Sequence, residues 1–154
     1  MPKFENARVV RHTPDEMFDL VADVERYPEF LPLCQSLVVR SRRERDGKTL
    51  LIADMTVAYK MIRETFASQV LLKPGEREID VKYVDGPFRY LENRWTFLEV
   101  PAGCEVRFFI DYEFKSRTLG ILMGSMFDYA FRRFATAFEE RADKVYPRMP
   151  AVAT

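Results

Sequence analysis

Residues 117–146 contain no proline, and aromatic side chains recur along them at helical spacing. At about 100° per residue, Phe127, Ala130, Phe131, Phe134, Phe138 and Val145 share one face, and Arg132, Thr136, Glu139 and Asp143 lie opposite. The pattern predicts a single amphipathic helix about 45 Å long, at about 1.5 Å of rise per residue. An apolar edge of that length needs a broad apolar surface to cover it.

The chain before it alternates. In "CEVRFFIDYEF", Cys104, Val106, Phe108, Ile110, Tyr112 and Phe114 share one face; Glu105, Arg107, Asp111 and Glu113 take the other, with Phe109 the exception. Ile79, Val81 and Tyr83 alternate with Glu78, Asp80 and Lys82 in the same way. Such alternation predicts antiparallel strands with one dry and one wet face. Turn signals divide the run: Asp46-Gly47 between 36–45 and 49–59, Pro74-Gly75 between 62–72 and 77–84, and "PAGC" (101–104) between 94–100 and 105–114. Upstream, residues 3–11 read as a strand. Thr13, Pro14 and Glu16 then open a helix through an N-cap, a first-turn proline and a capping box. Pro28 and Pro32 frame "YPEFLP" as a second, short helix or turn. The expected fold is α+β: a curved antiparallel sheet of six to seven strands wrapped around the long C-terminal helix, with two short helices after the first strand. The chain, 1–154, reads as a single domain with its core in 3–146 and a tail, 147–154, without fixed structure.

The start of the long helix departs from its own pattern. Ile121 and Leu122 project on the side that later becomes polar, while Gly120 and Gly124 fall on the inward stripe with Met123 beside them. A glycine inside a helix costs about 1 kcal/mol against alanine, so two of them ask for a reason. Close backbone packing is one. A hollow is another: Phe108, Ile110, Tyr112 and Phe114 from the sheet, with Phe127 and Phe131 from the helix, ring a space that the two glycines leave empty. A GxxxG contact is a third, weak outside a membrane. The hollow reading places an apolar cavity under the N-terminal half of the helix, with Ile121 and Leu122 at its mouth, poised to dip into a bilayer interface.

Composition limits the other readings. The 24 Lys+Arg balance 24 Asp+Glu, so the net field gives no reason to expect DNA or anionic lipid. Aromatic residues are abundant, with 13 Phe, 7 Tyr and one Trp to be housed. The longest charge-free run near the helix start, Thr118 to Phe127, has 10 residues, against the roughly 20 of a spanning helix. "MPKFENARVV" lacks a signal-peptide pattern, and Cys34 and Cys104 lack CxxC spacing, which together suggest a reduced, cytoplasmic setting. Catalytic chemistry finds little footing. His12 is the lone histidine, no phosphate-binding glycine loop occurs, and neither cysteine has an activating neighbour. Asp54 and Glu64 come nearest to an interior carboxylate pair, and the wet face is the preferred place for them. "RSRRER" (40–45) reads as a solvated edge beside a hairpin, with RNA contact as its alternative. No metal site and no catalytic cofactor are expected.

Three stretches carry a resemblance: "VADVERYPEFLPLC" (21–34), "DGPFRYLENRW" (85–95) and "FEERADKVY" (138–146). They resemble the coenzyme Q-binding, ubiquinone-chaperone family of the START-like helix-grip superfamily, over about residues 3–146. The resemblance implies a non-enzymatic protein that binds ubiquinone, a polyprenyl quinone, and delivers it in support of respiratory electron transport. It implies a place in the cytoplasm, peripheral to the inner membrane, with transient contact to the membrane surface. Carried over by motif, Tyr27, Pro28, Phe30 and Leu31 lie beside the pocket entrance, Phe88, Leu91 and Trp95 belong to a loop and strand lining it, and Phe114 leads into the last helix. Many members have tryptophan after the second proline of the first motif; Leu33 stands there in this chain and suits an isoprenoid chain. One bacterial branch of the family is described as a toxin that blocks association of ribosomal subunits, which keeps the ribosome as an alternative partner. A cyclase-type enzyme is the third reading.

Overall fold

Each turn signal joins two paired strands. The computed structural model describes residues 3–59 and 61–150, and the sheet it contains has seven strands: β1 (Lys3–Val10), β2 (Cys34–Arg45), β3 (Lys48–Tyr59), β4 (Ile62–Lys73), β5 (Glu78–Asp85), β6 (Phe88–Val100) and β7 (Gly103–Phe114). All neighbours are antiparallel, in the order β1-β7-β6-β5-β4-β3-β2. Helix α1 (Pro14–Ala22) and a 3-10 helix (Val24–Glu29) follow β1, and α2 (Arg117–Val145) closes the fold. This is the expected curved sheet around a long helix. The capping box forms as read: the Glu16 amide donates to Thr13 Oγ1 at 3.1 Å, and the Thr13 amide donates to Glu16 Oε1 at 2.9 Å.

Strand β6 is longer than its sequence pattern suggests. The turn signals bound a strand over 94–100, and residues 88–93 extend it, pairing with β7 from Phe88↔Phe114 onward. The alternation is masked there by a register shift between Phe88 and Tyr90 and by Asn93, a polar residue on the inner face.

Helix α2 lies against β1, β7 and α1. Phe127, Ala130, Phe131 and Phe138 are buried as the stripe requires, and Phe134 is half-buried. Val145, expected on that stripe, is instead 48 % exposed, and Ala142 takes the buried place. These last turns of α2 lie beside His12, just past the end of edge strand β1, and not over the middle of the sheet, so the buried edge rotates. Asp143, expected on the wet face, turns toward His12, whose ring is fully buried. His12 Nε2 lies 2.7 Å from Asp143 Oδ1. An ionised carboxylate can only accept, so Nε2 carries the hydrogen. Residues 147–150 have no regular structure but are tied down, with the Met149 amide donating to the Arg11 carbonyl at 2.7 Å and Arg11 Nε donating to the Met149 carbonyl at 2.8 Å. The rest of the expected tail, 151–154, lies outside the described residues.

The β6–β7 turn fits closely against the same corner. Gly103 has φ +149°, and a Cβ there would run into the carbonyl oxygens of Val10 and His12. Gly103→Ala is therefore expected to destabilise the fold by about 1–3 kcal/mol, read from thermal or denaturant unfolding.

The His12 hydrogen bond holds the Asp143 carboxyl below its ordinary value of 3.8, with Arg148 adding to the effect. Its folded pKa is thus lower than its unfolded one, so the stabilisation is complete above the unfolded value and is lost as pH falls through the folded value. Asp143→Ala is expected to cost about 1.5–3 kcal/mol at neutral pH. The gap to the parent protein should narrow in unfolding curves recorded below the ordinary carboxylate range.

Candidate functional site

The inner face of the sheet is uneven. Across β3, β4 and β5, Ala53 pairs with Ser68 and Ser68 with Tyr83, so two small side chains sit next to each other in the floor. One row along, Leu51, Val70 and Val81 stand in register and fill the space. The small pair opens a cavity between the floor and α2. Its helix side is formed by Phe127, Ala130, Phe131, Phe134 and Phe138, and its sheet side by residues from β2 to β7, including Leu37, Met55, Phe66, Ile79, Leu91, Trp95, Phe108 and Ile110. Val24, Tyr27, Leu31, Pro32, Leu33 and Cys34 close one flank.

About 120 Å³ of this space is open to a water-sized sphere. That falls below the roughly 300–1,000 Å³ of ligand pockets in general, and is close to the about 150 Å³ that accepts one benzene ring in an apolar core. As it stands, the cavity takes a ring, and a longer ligand has to leave through the rim. Pro32, Leu33, Leu37 and Met55 are half-buried, whereas Leu31, Cys34 and Ala53 beside them are buried. The rim therefore lies along the 32–37 segment. Leu33 holds φ +68°, in the left-handed region, at a cost of about 1 kcal/mol or more for a non-glycine residue. Its carbonyl accepts from the Ala58 amide at 3.0 Å, which locks the kink against the end of β3.

Of the residues singled out from sequence, Tyr27, Leu31, Leu33, Leu91, Trp95, Phe108, Ile110, Phe127 and Phe131 meet on the cavity wall. Pro28, Phe30, Phe88, Tyr112, Phe114, Gly120, Met123 and Gly124 do not line it. Phe30 packs edge-on against Tyr27 and Phe138 behind the wall. Phe88 is fully buried, stacked on Phe114 at 4.9 Å and set edge-on to Phe66, Tyr83 and Tyr112. That aromatic cluster lies beneath the first turn of α2, where Phe114 comes within reach of Gly120; the cavity lies further along, under Phe127 to Phe138. Neither helix glycine is required by close packing. A Cβ on Gly120 would meet the Phe114 ring at 3.8 Å, an ordinary contact, and one on Gly124 would meet nothing within 4 Å. Ile121 and Leu122 are exposed, by 74 % and 57 %.

Ala53, Ser68 and Asn93 were not legible as site residues, because their importance lies in a register that only the paired strands reveal. The wall is almost wholly apolar. Asn93 Nδ2 donates to the Phe109 carbonyl at 2.8 Å, and Trp95 Nε1 donates to Asn93 Oδ1 at 3.0 Å. The Tyr27 hydroxyl donates to the Val21 carbonyl, and burial raises its pKa far above the ordinary phenol value. Burial also pushes the Cys34 thiol up to about 11 and that of Cys104, at the far corner, to about 11. Both are free thiols and poor nucleophiles at neutral pH. Among the described residues, no Asp, Glu, His, Lys or Arg lines the cavity. Asp54 points away and pairs with Arg40 at 2.9 Å. Among the described residues, no group of three or more His, Cys, Asp or Glu is placed to hold a metal ion, and no helix is long and apolar enough to cross a membrane. The basic run lies on β2, an edge strand, where Arg40, Arg42 and Arg45 pair with Asp54, Glu25 and Asp46.

Residues 10–139 match the family described as polyketide cyclase/dehydrase and lipid transport. The chain belongs to this family. Among its relatives, the ribosome association toxin RatA of Rickettsia prowazekii is 32 % identical over 148 residues, covering 94 % of this chain and 99 % of the toxin. The mitochondrial coenzyme Q-binding protein COQ10 homolog B of Xenopus laevis is 28 % identical over 151 residues, covering 95 % of this chain and 60 % of that protein. The solved structure of a START superfamily protein from Mycobacterium smegmatis superposes with a TM-score of 0.78 at 19 % identity, covering 94 % of this chain and 99 % of that one. The polyketide cyclase and lipid transport family thus accommodates this chain in a START-like fold.

The open space at Gly124 gives a direct test of why that glycine is there. Gly124→Ala is expected to raise stability by about 1 kcal/mol through helix propensity alone, seen as a higher melting temperature. A fall would mean that the helix needs a bare backbone at this position.

Proposed function

We propose that the protein is a non-enzymatic carrier that binds a polyprenyl quinone, ubiquinone in the first place, and delivers it in support of respiratory electron transport. The observation that carries this reading is the cavity itself: ring-sized, apolar on nearly every side, and with no carboxylate, histidine, lysine or arginine on its wall among the described residues. A bare quinone ring matches such a space, the ring substituents of ubiquinone require the half-buried rim to give way, and the isoprenoid tail gains about 0.8 kcal/mol for each CH₂ removed from water. The tail leaves past Leu33 and Leu37, where aliphatic side chains suit it. The likeness to a coenzyme Q-binding protein supports the same ligand class. The lack of an acid–base pair on the wall speaks against cyclase chemistry, which needs a proton donor and acceptor at the substrate.

Loading from a bilayer falls to the helix start. Ile121 and Leu122 are exposed, and the first turn of α2 has no acidic residue to oppose a lipid surface. Full burial of an aliphatic side chain contributes about 1.5–3 kcal/mol, so two suffice for transient, reversible docking at the membrane.

A ribosome-associating role is the second reading, favoured by the 32 % identity to RatA over nearly the whole chain. Overexpression followed by ribosome profiles separates the two: a rise in free subunits supports the toxin reading, and unchanged profiles remove it.

For the carrier reading, lipid extracts of the purified protein analysed by mass spectrometry are expected to contain about one polyprenyl quinone per chain, or the apo protein to take up a short-tail quinone to that level. Protein that neither retains nor takes up quinone contradicts it. In transfer assays, Ile121→Lys combined with Leu122→Lys is expected to slow uptake from vesicles and to spare binding of a short-tail quinone from solution. Unchanged transfer would remove the docking role.

A further inference from the structure

One polar atom in the cavity has nothing to bind. The Ser68 hydroxyl is buried, and its Oγ has no hydrogen-bond partner among the described residues. The residue is 7 % exposed and lines the cavity floor between Ala53 and Tyr83. The other polar groups on the wall are engaged: Asn93 with Phe109 and Trp95, Tyr27 with Val21, and the Cys34 thiol with the Ser36 carbonyl at 3.8 Å. Burying a hydroxyl without a partner is unfavourable. Space does not explain it either. Alanine fits wherever serine fits, and would leave the same hollow without the penalty.

We infer that Ser68 is the polar anchor of the ligand site, its O–H donating a hydrogen bond to a carbonyl oxygen on a ring that enters the cavity head first. This rests on the quinone reading above and adds the orientation and the recognition element. A quinone offers only acceptors, and Ser68 supplies a hydroxyl donor that no described group engages. The open space is ring-sized, so the carbonyl-bearing ring occupies it and the tail runs out over the 32–37 rim. A ligand inserted tail first would leave the hydroxyl unpartnered and the ring oxygens outside. Selection thus acts on a carbonyl next to a ring, a feature that an isoprenoid hydrocarbon does not have.

The test compares the full-length protein with Ser68→Ala, using a short-tail ubiquinone and an isoprenoid hydrocarbon of the same tail length without ring oxygens. Ser68→Ala is expected to weaken quinone binding by about 2- to 10-fold, as for a single hydrogen bond, and to leave hydrocarbon binding equal or tighter. With carbonyl-labelled quinone, the bound C=O stretch should move to higher wavenumber in the variant. Loss of a purely structural contact would not produce that shift. The melting temperature of the apo variant should hold or rise, since an unpartnered hydroxyl is removed. Equal weakening for both ligands, or an unchanged quinone affinity and carbonyl band, overturns the anchor and leaves the carrier reading standing. Failure of the parent protein to bind quinone overturns both.

Discussion

Where α2 touches the sheet decides everything else about the interior. Its phenylalanine edge meets β6 and β7, with Phe108 set against Phe131 and Phe134 at ring separations of 6.2 and 6.1 Å, and Trp95 against Phe138 at 5.0 Å. The helix therefore leans toward one side of a seven-stranded sheet. On the other side, Ala53 and Ser68 are too small to reach it. A row of leucines there would have given a filled core. The small pair instead leaves a space of about 120 Å³, which close packing elsewhere in the interior keeps from collapsing.

The same contact divides labour along α2. Its middle walls the cavity and its last turns are clamped by His12 and Asp143. Its first turns cap the Phe88–Phe114 cluster inward and present Ile121 and Leu122 outward. On the proposed carrier reading, binding, anchoring to the fold and approach to a lipid surface fall to successive segments of one element. Cys34 and Cys104 are both buried, and burial raises the pKa of each thiol.

Much of this was legible in the chain. Clean alternation in 104–114 and in 78–83, with the Asp46-Gly47 and Pro74-Gly75 turns, was enough for the sheet, because period-two patterning and turn chemistry are local properties. The long helix and its inward phenylalanines followed from spacing in the same way. The cavity's position did not. Gly120 and Gly124 drew attention to the wrong end of α2, because a missing side chain on a helix says nothing about what the opposing strands bring up to it. Phe88 and Phe114 pack together near Gly120, and the cavity wall on α2 begins at Phe127. The residues that do make the hollow are an alanine and a serine, common on any strand, and only the pairing of β3 with β4 sets them side by side. Asn93 was hidden for a related reason: a polar residue facing inward breaks the alternation, so the strand was read only from residue 94. Val145 and Asp143 were misplaced because helical periodicity was extended past the point where the sheet ends and α1 begins.

The central claim is that the ligand sits inside, against α2, and not on the surface. Trp95 is the chain's only tryptophan and lies on the cavity wall. Titration of its fluorescence with a short-tail quinone, in the parent protein and in Ala53→Leu, tests the claim most directly. The account predicts deep quenching that saturates at about one quinone per chain, and its loss when leucine fills the floor while the melting transition persists. Weak, non-saturating quenching that is the same in both proteins would contradict it.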